Sequence, residues 1–132
     1  MLYVDSPFWI AQVMTRDSRA SEAGRLADVC EGESLATSNL VVGETWSFLR
    51  RREGHHRAMM WLDRLHETAR VTLRRVTQEI EAEAWTRLRV HDERPYSFVD
   101  ATSFALMRRL GIRDALAFDG DFAAAGFTEL QP

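Results

Sequence analysis

The stretch Leu2-Tyr3-Val4-Asp5-Ser6-Pro7-Phe8-Trp9 (residues 2–9) decides the architecture of the chain. It opens with a short apolar run, which predicts a buried strand over residues 1–5. Proline is tolerated in the first turn of a helix, so Ser6 and Pro7 predict that a helix begins directly after the strand. Asp5 therefore stands where the strand ends and the helix begins.

Short strands and helices continue to alternate along the chain. Further strands are predicted over residues 34–37, 69–73 and 115–118, with an edge strand at 127–130. Helices are predicted to about residue 15, from Ser18 or Ser21 to about 30, from Asn39 to 51, over 55–67, from Thr77 toward Pro95, and from Asp100 to 110. This order indicates an α/β fold with a mostly parallel sheet. No linker or repeat divides the chain, so we expect one domain over residues 1–132.

The composition is that of a globular protein. Of the 132 residues, 45% are hydrophobic and 28% are charged, so a sizeable core is expected. No apolar run reaches the ~18 residues of a membrane span. The fold begins almost at once, so we expect no leader. The single Cys30 excludes an internal disulfide and is compatible with a reducing cytoplasm.

Arginine supplies every basic side chain of the chain. The 17 basic residues include no lysine, and the formal net charge is −3. Any mechanism that needs a lysine is therefore excluded. The remaining cationic groups are guanidinium groups, which match phosphate well.

Acidic residues stand at the predicted ends of strands and helices, where each follows or lies within an apolar stretch: Asp5, Glu44, Asp100, Asp119 and Asp121. The carboxyl ends of parallel strands gather at one edge of a sheet, so these acids are placed to meet there. Asp5 and Asp100 also fit helix caps, and Asp119-Gly120-Asp121 also fits a turn. Glu44 lies past the first turn of its helix, where capping does not explain it well.

Convergence of these acids would require a cation. Two carboxylates ~5 Å apart repel by roughly 3 kcal/mol at an effective dielectric constant of about 20. Oxygen-only ligands favour Mg²⁺ or Mn²⁺ over zinc. Such an ion polarises a phosphodiester and lowers the pKa of a bound water. The pattern therefore suggests metal-dependent hydrolysis of phosphodiesters.

Four segments in register carry a family resemblance. They read Tyr-Val-Asp-Ser-Pro-Phe-Trp (3–9), Gly-Glu-Thr (43–45), Ser-Phe-Val-Asp-Ala-Thr-Ser-Phe-Ala-Leu-Met (97–107) and Ala-Phe-Asp-Gly-Asp-Phe (117–122). In order, spacing and flanking residues they resemble PIN-domain proteins, and most of all the VapC-type toxins of bacterial toxin–antitoxin pairs. The resemblance spans essentially the whole chain. It implies a three-layer PIN-like fold with a small, mostly parallel sheet flanked by helices.

The resemblance also implies an endoribonuclease that binds Mg²⁺ or Mn²⁺ through an acidic quartet. By motif, Asp5, Glu44, Asp100 and Asp119 take the catalytic places of that quartet. Asp121 becomes a candidate fifth ligand beside them. No serine–histidine–acid pattern is present, so the expected nucleophile is water.

Hydroxyl and arginine side chains near these motifs are candidate supporting groups. Ser6, Thr102 and Ser103 are expected to hydrogen-bond a carboxylate or a metal-bound water, although Ser103 also fits the first turn of its helix. The candidate RNA contacts are the arginines that end two acid-bearing helices: Arg50, Arg51, Arg108 and Arg109. Their simpler interpretation is stabilisation of a helix C-terminus.

Partners follow from the same resemblance. It implies an RNA substrate, a homodimer and a cognate antitoxin whose C-terminal segment covers the active-site groove. The apolar bulk of Phe8-Trp9-Ile10 and Met59-Met60-Trp61-Leu62 exceeds what one helix face buries, so part of it is a candidate interaction surface. We expect no membrane partner and a cytoplasmic protein.

Other functions fit the sequence less well. Phosphatases of the haloacid-dehalogenase type and receiver domains use a lysine, which this chain lacks. A PIN-like module that binds RNA or protein without cleaving it is the main alternative, and the complete acidic set argues against it. DNA stays open as a substrate, and so does the class of RNA: transfer, ribosomal or messenger.

Overall fold

A computed structural model describes residues 1–132. The five strands are β1 Leu2–Val4, β2 Leu35–Ser38, β3 Val71–Arg74, β4 Asp114–Leu116 and β5 Thr128–Glu129. The seven helices are α1 Ser6–Val13, α2 Ala20–Val29, α3 Asn39–Glu53, α4 His55–Glu67, α5 Gln78–Val90, α6 Phe98–Leu110 and α7 Asp121–Ala124. None of these helices combines the length and the apolar character needed to cross a membrane.

The five strands form one sheet in which every pairing is parallel, in the order β3-β2-β1-β4-β5. Strand β1 lies at the centre, where Tyr3 pairs with Ala36 of β2 and with Ala115 of β4. The predicted parallel sheet is confirmed, and so is the edge strand near the C-terminus.

The alternation of side chains along the strands builds a core on each face of the sheet. Leu2 and Val4 of β1 point into one core, which they share with helices α1 to α4. Tyr3 points to the opposite face, where it packs with Phe104 of α6 and Phe122 of α7. Successive strand residues face opposite sides of the sheet. These three adjacent residues therefore contact the helices on both faces, and the molecule has three layers: helices, sheet and helices. The three-layer α/β fold implied by the family resemblance is therefore confirmed.

The N-cap of helix α3 lies one residue before the predicted cap. Asn39 was expected to cap it, but the N-cap is Ser38, whose hydroxyl accepts the N–H of Val41 at 3.1 Å. The side chain of Asn39 instead accepts the N–H of Val76 at 2.8 Å, in the segment before α5. Asn39 is free to make this long-range hydrogen bond because Ser38 already accepts an N–H of the first turn of the helix.

Helix α6 also begins before its predicted cap. Its N-cap is Ser97, and Asp100 lies three residues into the helix. The Ser97 hydroxyl accepts the N–H of Asp100 at 3.0 Å, and the Asp100 carboxylate accepts the N–H of Ser97 at 3.0 Å. This reciprocal pair is a capping box. Asp100 therefore does stabilise the helix start, but from inside the helix.

Other boundaries differ by a few residues. Helix α2 begins at Ala20 with Arg19 at its N-cap, and neither Ser18 nor Ser21 caps it. Strand β4 ends at Leu116 and not at residue 118, because only 114–116 pair with neighbouring strands. Asp119 consequently follows a two-residue connection after the strand.

The apolar runs in α1 and α4 contribute mainly to the core. Phe8, Trp9 and Ile10 are all buried, as is Trp61, whose ring lies edge-on to Trp9 with centroids 6.2 Å apart. Only Met60 of these runs is largely exposed. The apolar run of α1 therefore belongs to the core, while the candidate interaction surface is reduced to the part of α4 that carries the exposed Met60 and the half-buried Met59 and Leu62, and it stays a prediction.

We expect Ser97→Ala to lower the free energy of unfolding by about 1 kcal/mol, because one N–H of the first turn of α6 loses its acceptor. Chemical denaturation followed by circular dichroism measures this change. Ser47→Ala, at an exposed position inside α3, is the matched control and should stay within about 0.5 kcal/mol of the parent. Equal stability of Ser97→Ala and the parent would contradict the capping role.

Candidate active site

The candidate site lies where the carboxyl ends of β1 and β4 adjoin, the point at which the strand order reverses. In open parallel sheets ligands bind at this position. Asp5 directly follows β1, and its N–H donates to the carbonyl of Leu116 at the end of β4, at 3.2 Å. This bond ties together the two strand ends that precede Asp5 and Asp119.

Helix α3 brings Glu44 to the same region. Glu44 is exposed, and it lies past the first turn of the helix, as the sequence indicated. The hydroxyl of Ser6, at the start of α1, donates to Oε1 of Glu44 at 2.5 Å. This is the carboxylate contact predicted for Ser6, and it joins the start of α1 to α3.

The turn after β4 carries the last two acids. The N–H of Asp121 donates to Oδ1 of Asp119 at 3.4 Å. Gly120 between them has φ +83°, a left-handed conformation that favours glycine. Asp121 begins α7 and pairs with Arg94, whose Nε lies 2.8 Å from its Oδ1. Both acids are thus held within one tight turn.

Burial dominates the electrostatics of Asp5. Only 3% of this residue is exposed, and loss of hydration raises its pKa well above the ordinary value. The nearby charge of Asp100 raises the pKa further, and Asp119 and Glu44 add smaller effects, while the N–H of Ser6 opposes them. The charges of three other acids therefore contribute to the raised pKa of Asp5.

The pKa values of Asp100 and Asp119 are raised as well. For Asp100 the main cause is burial, and the charges of Asp121 and Asp119 add to it, against the opposing hydrogen bond from Ser97. Asp119 is more exposed than Asp5, but partial loss of hydration is again the main cause, with the charges of Asp121 and Glu129 adding to it. Each ionised carboxylate thus makes ionisation of its neighbours less favourable.

Four of the five acids have no cationic partner. Asp5, Glu44, Asp100 and Asp119 form no ion pair, and only Asp121 does. The side chains are not arranged as a finished ligand shell either, since no three acidic, histidine or cysteine groups could hold one ion between them. The structure thus brings the acids into electrostatic range of one another and holds most of them by hydrogen bonds to protein groups. The donor chemistry, oxygen-only and uncompensated, fits a divalent cation.

Two of the expected supporting hydroxyls do not reach a carboxylate. Thr102 donates to the carbonyl of Val99 at 2.7 Å, inside its own helix. Ser103 forms a hydrogen bond of 2.7 Å with the hydroxyl of Tyr3 in the core. Both residues are fully buried, because they lie on the face of α6 that packs against the sheet. Neither hydroxyl therefore contacts a carboxylate, and a role for either at a metal-bound water stays a prediction.

The arginines at the helix ends lie away from the acids. Arg50 and Arg51 are exposed in the last turn of α3, and Arg108 and Arg109 are exposed in the last turn of α6. At 1.5 Å per residue they stand roughly 9–14 Å along the helix axes from the acids. Arg109 pairs with Glu83 of α5. The structure thus places them on the periphery of the site.

Two charged residues near the acids were missed from the sequence. Arg94 contacts the turn that carries Asp119 and Asp121, and Glu129 of β5 accepts N–H groups of the same turn. Arg94 is separated by 27 residues from Asp121 and belongs to no family motif quoted above. The only signal was Pro95, which favours an extended conformation at Arg94 and marks a loop before α6.

Comparison with known proteins gives a full-length match. Residues 2–128 match the family model described as the PIN domain. Two curated proteins from Mycobacterium tuberculosis, strains CDC 1551 and H37Rv, are both named 23S rRNA-specific endonuclease VapC20. Each is 48% identical over 132 residues, a span that covers 100% of this chain and 99% of the relative.

Solved structures agree with the sequence comparison. The crystal structure of Mycobacterium tuberculosis VapC20, described as a sarcin-ricin loop cleaving toxin, matches with a TM-score of 0.93 and 46% identity and covers 100% of both chains. A toxin–antitoxin complex from Klebsiella pneumoniae matches with a TM-score of 0.70 at 14% identity, covering 98% of this chain and 97% of that one. The second likeness concerns the fold alone.

We expect Asp5→Asn to raise the unfolding temperature of the metal-free protein at neutral pH by a few degrees. The folded-state pKa of Asp5 is raised, so its carboxyl favours folding while protonated and disfavours it as the pH rises from about 4 through the folded pKa. The variant removes this cost. The difference from the parent should therefore shrink as the pH falls toward 4.

Thermal unfolding in EDTA across that pH range measures the effect. Asp63→Asn, at an exposed position on α4, is the control and should follow the parent at every pH. A variant that is less stable than the parent at neutral pH, or a difference that is the same at every pH, would contradict the proposed cost of ionising Asp5.

Proposed function

The chain belongs to the PIN-domain family as a VapC-type toxin ribonuclease, and we propose that it cleaves 23S ribosomal RNA by metal-assisted hydrolysis. The observation that supports this target most is the 48% identity, over the whole chain, with relatives named 23S rRNA-specific endonucleases. The related structure is described as that of a sarcin-ricin loop cleaving toxin. We propose the same loop as the cleavage site of this protein.

The metal is proposed to be Mg²⁺ or Mn²⁺, held at the edge of the sheet where the acids meet. Asp5, Asp100 and Asp119 are the first candidates, because they lie within electrostatic range of one another and have no cationic partner. Glu44 completes the quartet on the α3 side, where Ser6 fixes its carboxylate. Asp121 is the fifth acid of the group.

A bound divalent ion would polarise the phosphodiester and lower the pKa of a water for in-line attack. The protein groups divide the remaining tasks. Asp5 is buried, so it would contact the ion from the protein interior and would not contact RNA. Asp119 and part of Asp100 are exposed and accessible to RNA. The hydrogen bond from Ser97 orients Asp100, and the hydrogen bond from Ser6 orients Glu44. No lysine is required at any step.

The alternative of a binding module without cleavage is less well supported. The relatives at 48% identity are named endonucleases, and this chain retains the complete acidic set in one region. A module that only bound RNA would gain nothing from four uncompensated carboxylates, because they repel the phosphate backbone. DNA remains the alternative substrate, since the chemistry of the metal does not depend on the sugar.

The proposed partners follow from the VapC-type assignment. We propose a cognate antitoxin that binds over the acidic region, a homodimer, and action in the cytoplasm on ribosomes. The arginines at the ends of α3 and α6 are proposed to contact RNA phosphates at the periphery: Arg50, Arg51, Arg108 and Arg109. Guanidinium groups suit this task because they bind phosphate in a bidentate manner.

We expect the purified protein to cut 23S ribosomal RNA in intact ribosomes when Mg²⁺ or Mn²⁺ is present, and not in EDTA. Asp5→Asn and Asp100→Asn should lower the rate by at least about 100-fold, because each removes a charged donor from a shared site. Primer extension along the RNA measures both the rate and the position of the cut.

Asp63→Asn is the control and should cleave like the parent protein. Transfer RNA, messenger RNA and single-stranded DNA, offered in parallel, test the choice of substrate. Equal cleavage by Asp5→Asn and the parent would contradict the proposed site. Cleavage of transfer RNA alone would leave a ribonuclease but contradict the ribosomal target.

Metal binding should also be visible without substrate. We expect Mg²⁺ at about 100 times its dissociation constant to stabilise the fold by about 2.7 kcal/mol, which raises the unfolding temperature. Asp119→Asn should reduce this shift, and Asp63→Asn should not. A shift of equal size in Asp119→Asn would exclude that residue from the metal set.

A further inference from the structure

The turn that carries Asp119 is held on one side by Arg94. Its Nη2 donates to the backbone carbonyl of Asp119 at 3.1 Å, while its Nε donates to Oδ1 of Asp121 at 2.8 Å. One guanidinium therefore spans both ends of the turn. It lies so close to the backbone that a Cβ on Gly120 would stand 3.4 Å from Nη2.

Glu129 of the edge strand β5 holds the same turn by other groups. Its Oε1 accepts the N–H of Gly120 at 3.1 Å, and its Oε2 accepts the N–H of Ala123 at 2.9 Å. A carboxylate that accepts two backbone N–H groups makes strong, charge-assisted bonds. The turn is thus fixed to the sheet by Glu129 and to the segment before α6 by Arg94.

The anchor of Arg94 is itself rigid. Pro95 follows it and restricts its backbone, and the N–H of Tyr96 donates to the carbonyl of Arg94 at 2.8 Å. The ring of Tyr96 packs edge-on against Phe104 of α6, with centroids 5.5 Å apart. Because Asp100 lies on the same helix, Arg94 connects the position of Asp119 to that of Asp100.

The environment of Asp121 differs from that of the other acids. Its side chain is 14% exposed and is paired with Arg94, whereas Asp5, Glu44, Asp100 and Asp119 have no such partner. A carboxylate neutralised by a guanidinium is a poorer donor to a cation than an unpaired neighbour. The arrangement thus separates the paired acid, Asp121, from the unpaired acid, Asp119, within one turn.

We propose that Arg94 and Asp121 are a pair of positioning residues that set Asp119 in place, and that Asp121 is not a metal ligand. This inference rests on the proposed function for its catalytic consequence, but the pair itself can be measured without catalysis. Neither side chain has to touch RNA or the reacting atoms. Their effect on the rate passes through the position of Asp119, where a displacement of about 1 Å can cost up to about 100-fold.

Steady-state cleavage of a ribosomal RNA fragment tests the catalytic part. We expect Arg94→Ala and Asp121→Asn each to lower kcat at least about tenfold and to change KM less than about twofold. The double variant should be no slower than either single variant, since both break one unit. Arg94→Lys should be intermediate, because an ammonium keeps the charge but not the fork of two donors.

Arg57→Ala is the matched control. It removes an arginine that is also paired with a glutamate, Glu53, but at the start of α4, and it should keep the kcat of the parent. A raised KM with an unchanged kcat in Arg94→Ala would show that Arg94 contacts RNA, which overturns the proposal. A loss in Asp121→Asn equal to that of Asp119→Asn, with a further loss in the double variant, would make Asp121 a ligand and also overturn it.

Hydrogen exchange in the metal-free protein tests the pair without activity. We expect the amide of Gly120 to exchange at least about tenfold faster in Arg94→Ala and in Asp121→Asn, with the amide of Asp5 unchanged. Unchanged exchange at Gly120 overturns the proposal. If the parent protein cleaves no RNA, the proposed function fails, whereas this exchange experiment still decides whether the pair positions the turn.

Discussion

Asp5 is buried at the end of the central strand without a cationic partner, and the organisation of the acidic region depends on this fact. Its charge is costly because water is excluded, and three further acids increase the cost. It cannot move away, since its N–H is bonded to the end of β4. A protein stable by only ~5–15 kcal/mol tolerates such a group when its function requires it. The burial of Asp5 is therefore the strongest physical reason to place the chemistry here.

Two of the acids near Asp5 are held in place by hydrogen bonds from serine residues. Glu44 is bonded to Ser6, and Asp100 is bonded to the N–H of Ser97. These bonds orient the two carboxylates without pairing them with a cation. The contact between Ser97 and Asp100 also stabilises the start of α6, so that one carboxylate serves a helix cap and belongs to the acidic region. Asp100 thus stabilises the start of α6 from position N3 of a capping box, and its metal-binding role stays a proposal.

Much of the fold could be predicted because its signals are local. The apolar run before Asp5, the Ser6-Pro7 helix start and the alternation of strands and helices indicated a parallel α/β sheet, which the structure has. The acids could be found because each follows a recognisable run. The caps of α3 and α6 were misplaced because several polar residues compete at each helix start. Ser38 and Ser97 are the N-caps because their hydroxyls reach an N–H of the first turn, which the spacing of polar residues in the sequence does not specify.

Contacts between distant segments could not be predicted in the same way. The pairing of Arg94 with Asp121 and the bonds from Glu129 to the turn exist only once β4, β5 and the loop before α6 are assembled. From the motif alone Asp119 and Asp121 are equally good candidates for a metal ligand, since both are acids in one short turn. Their surroundings differ, because one carboxylate faces a guanidinium and the other does not. The environment of a side chain, more than its place in a motif, therefore distinguishes a candidate ligand from a group that holds the ligand in position.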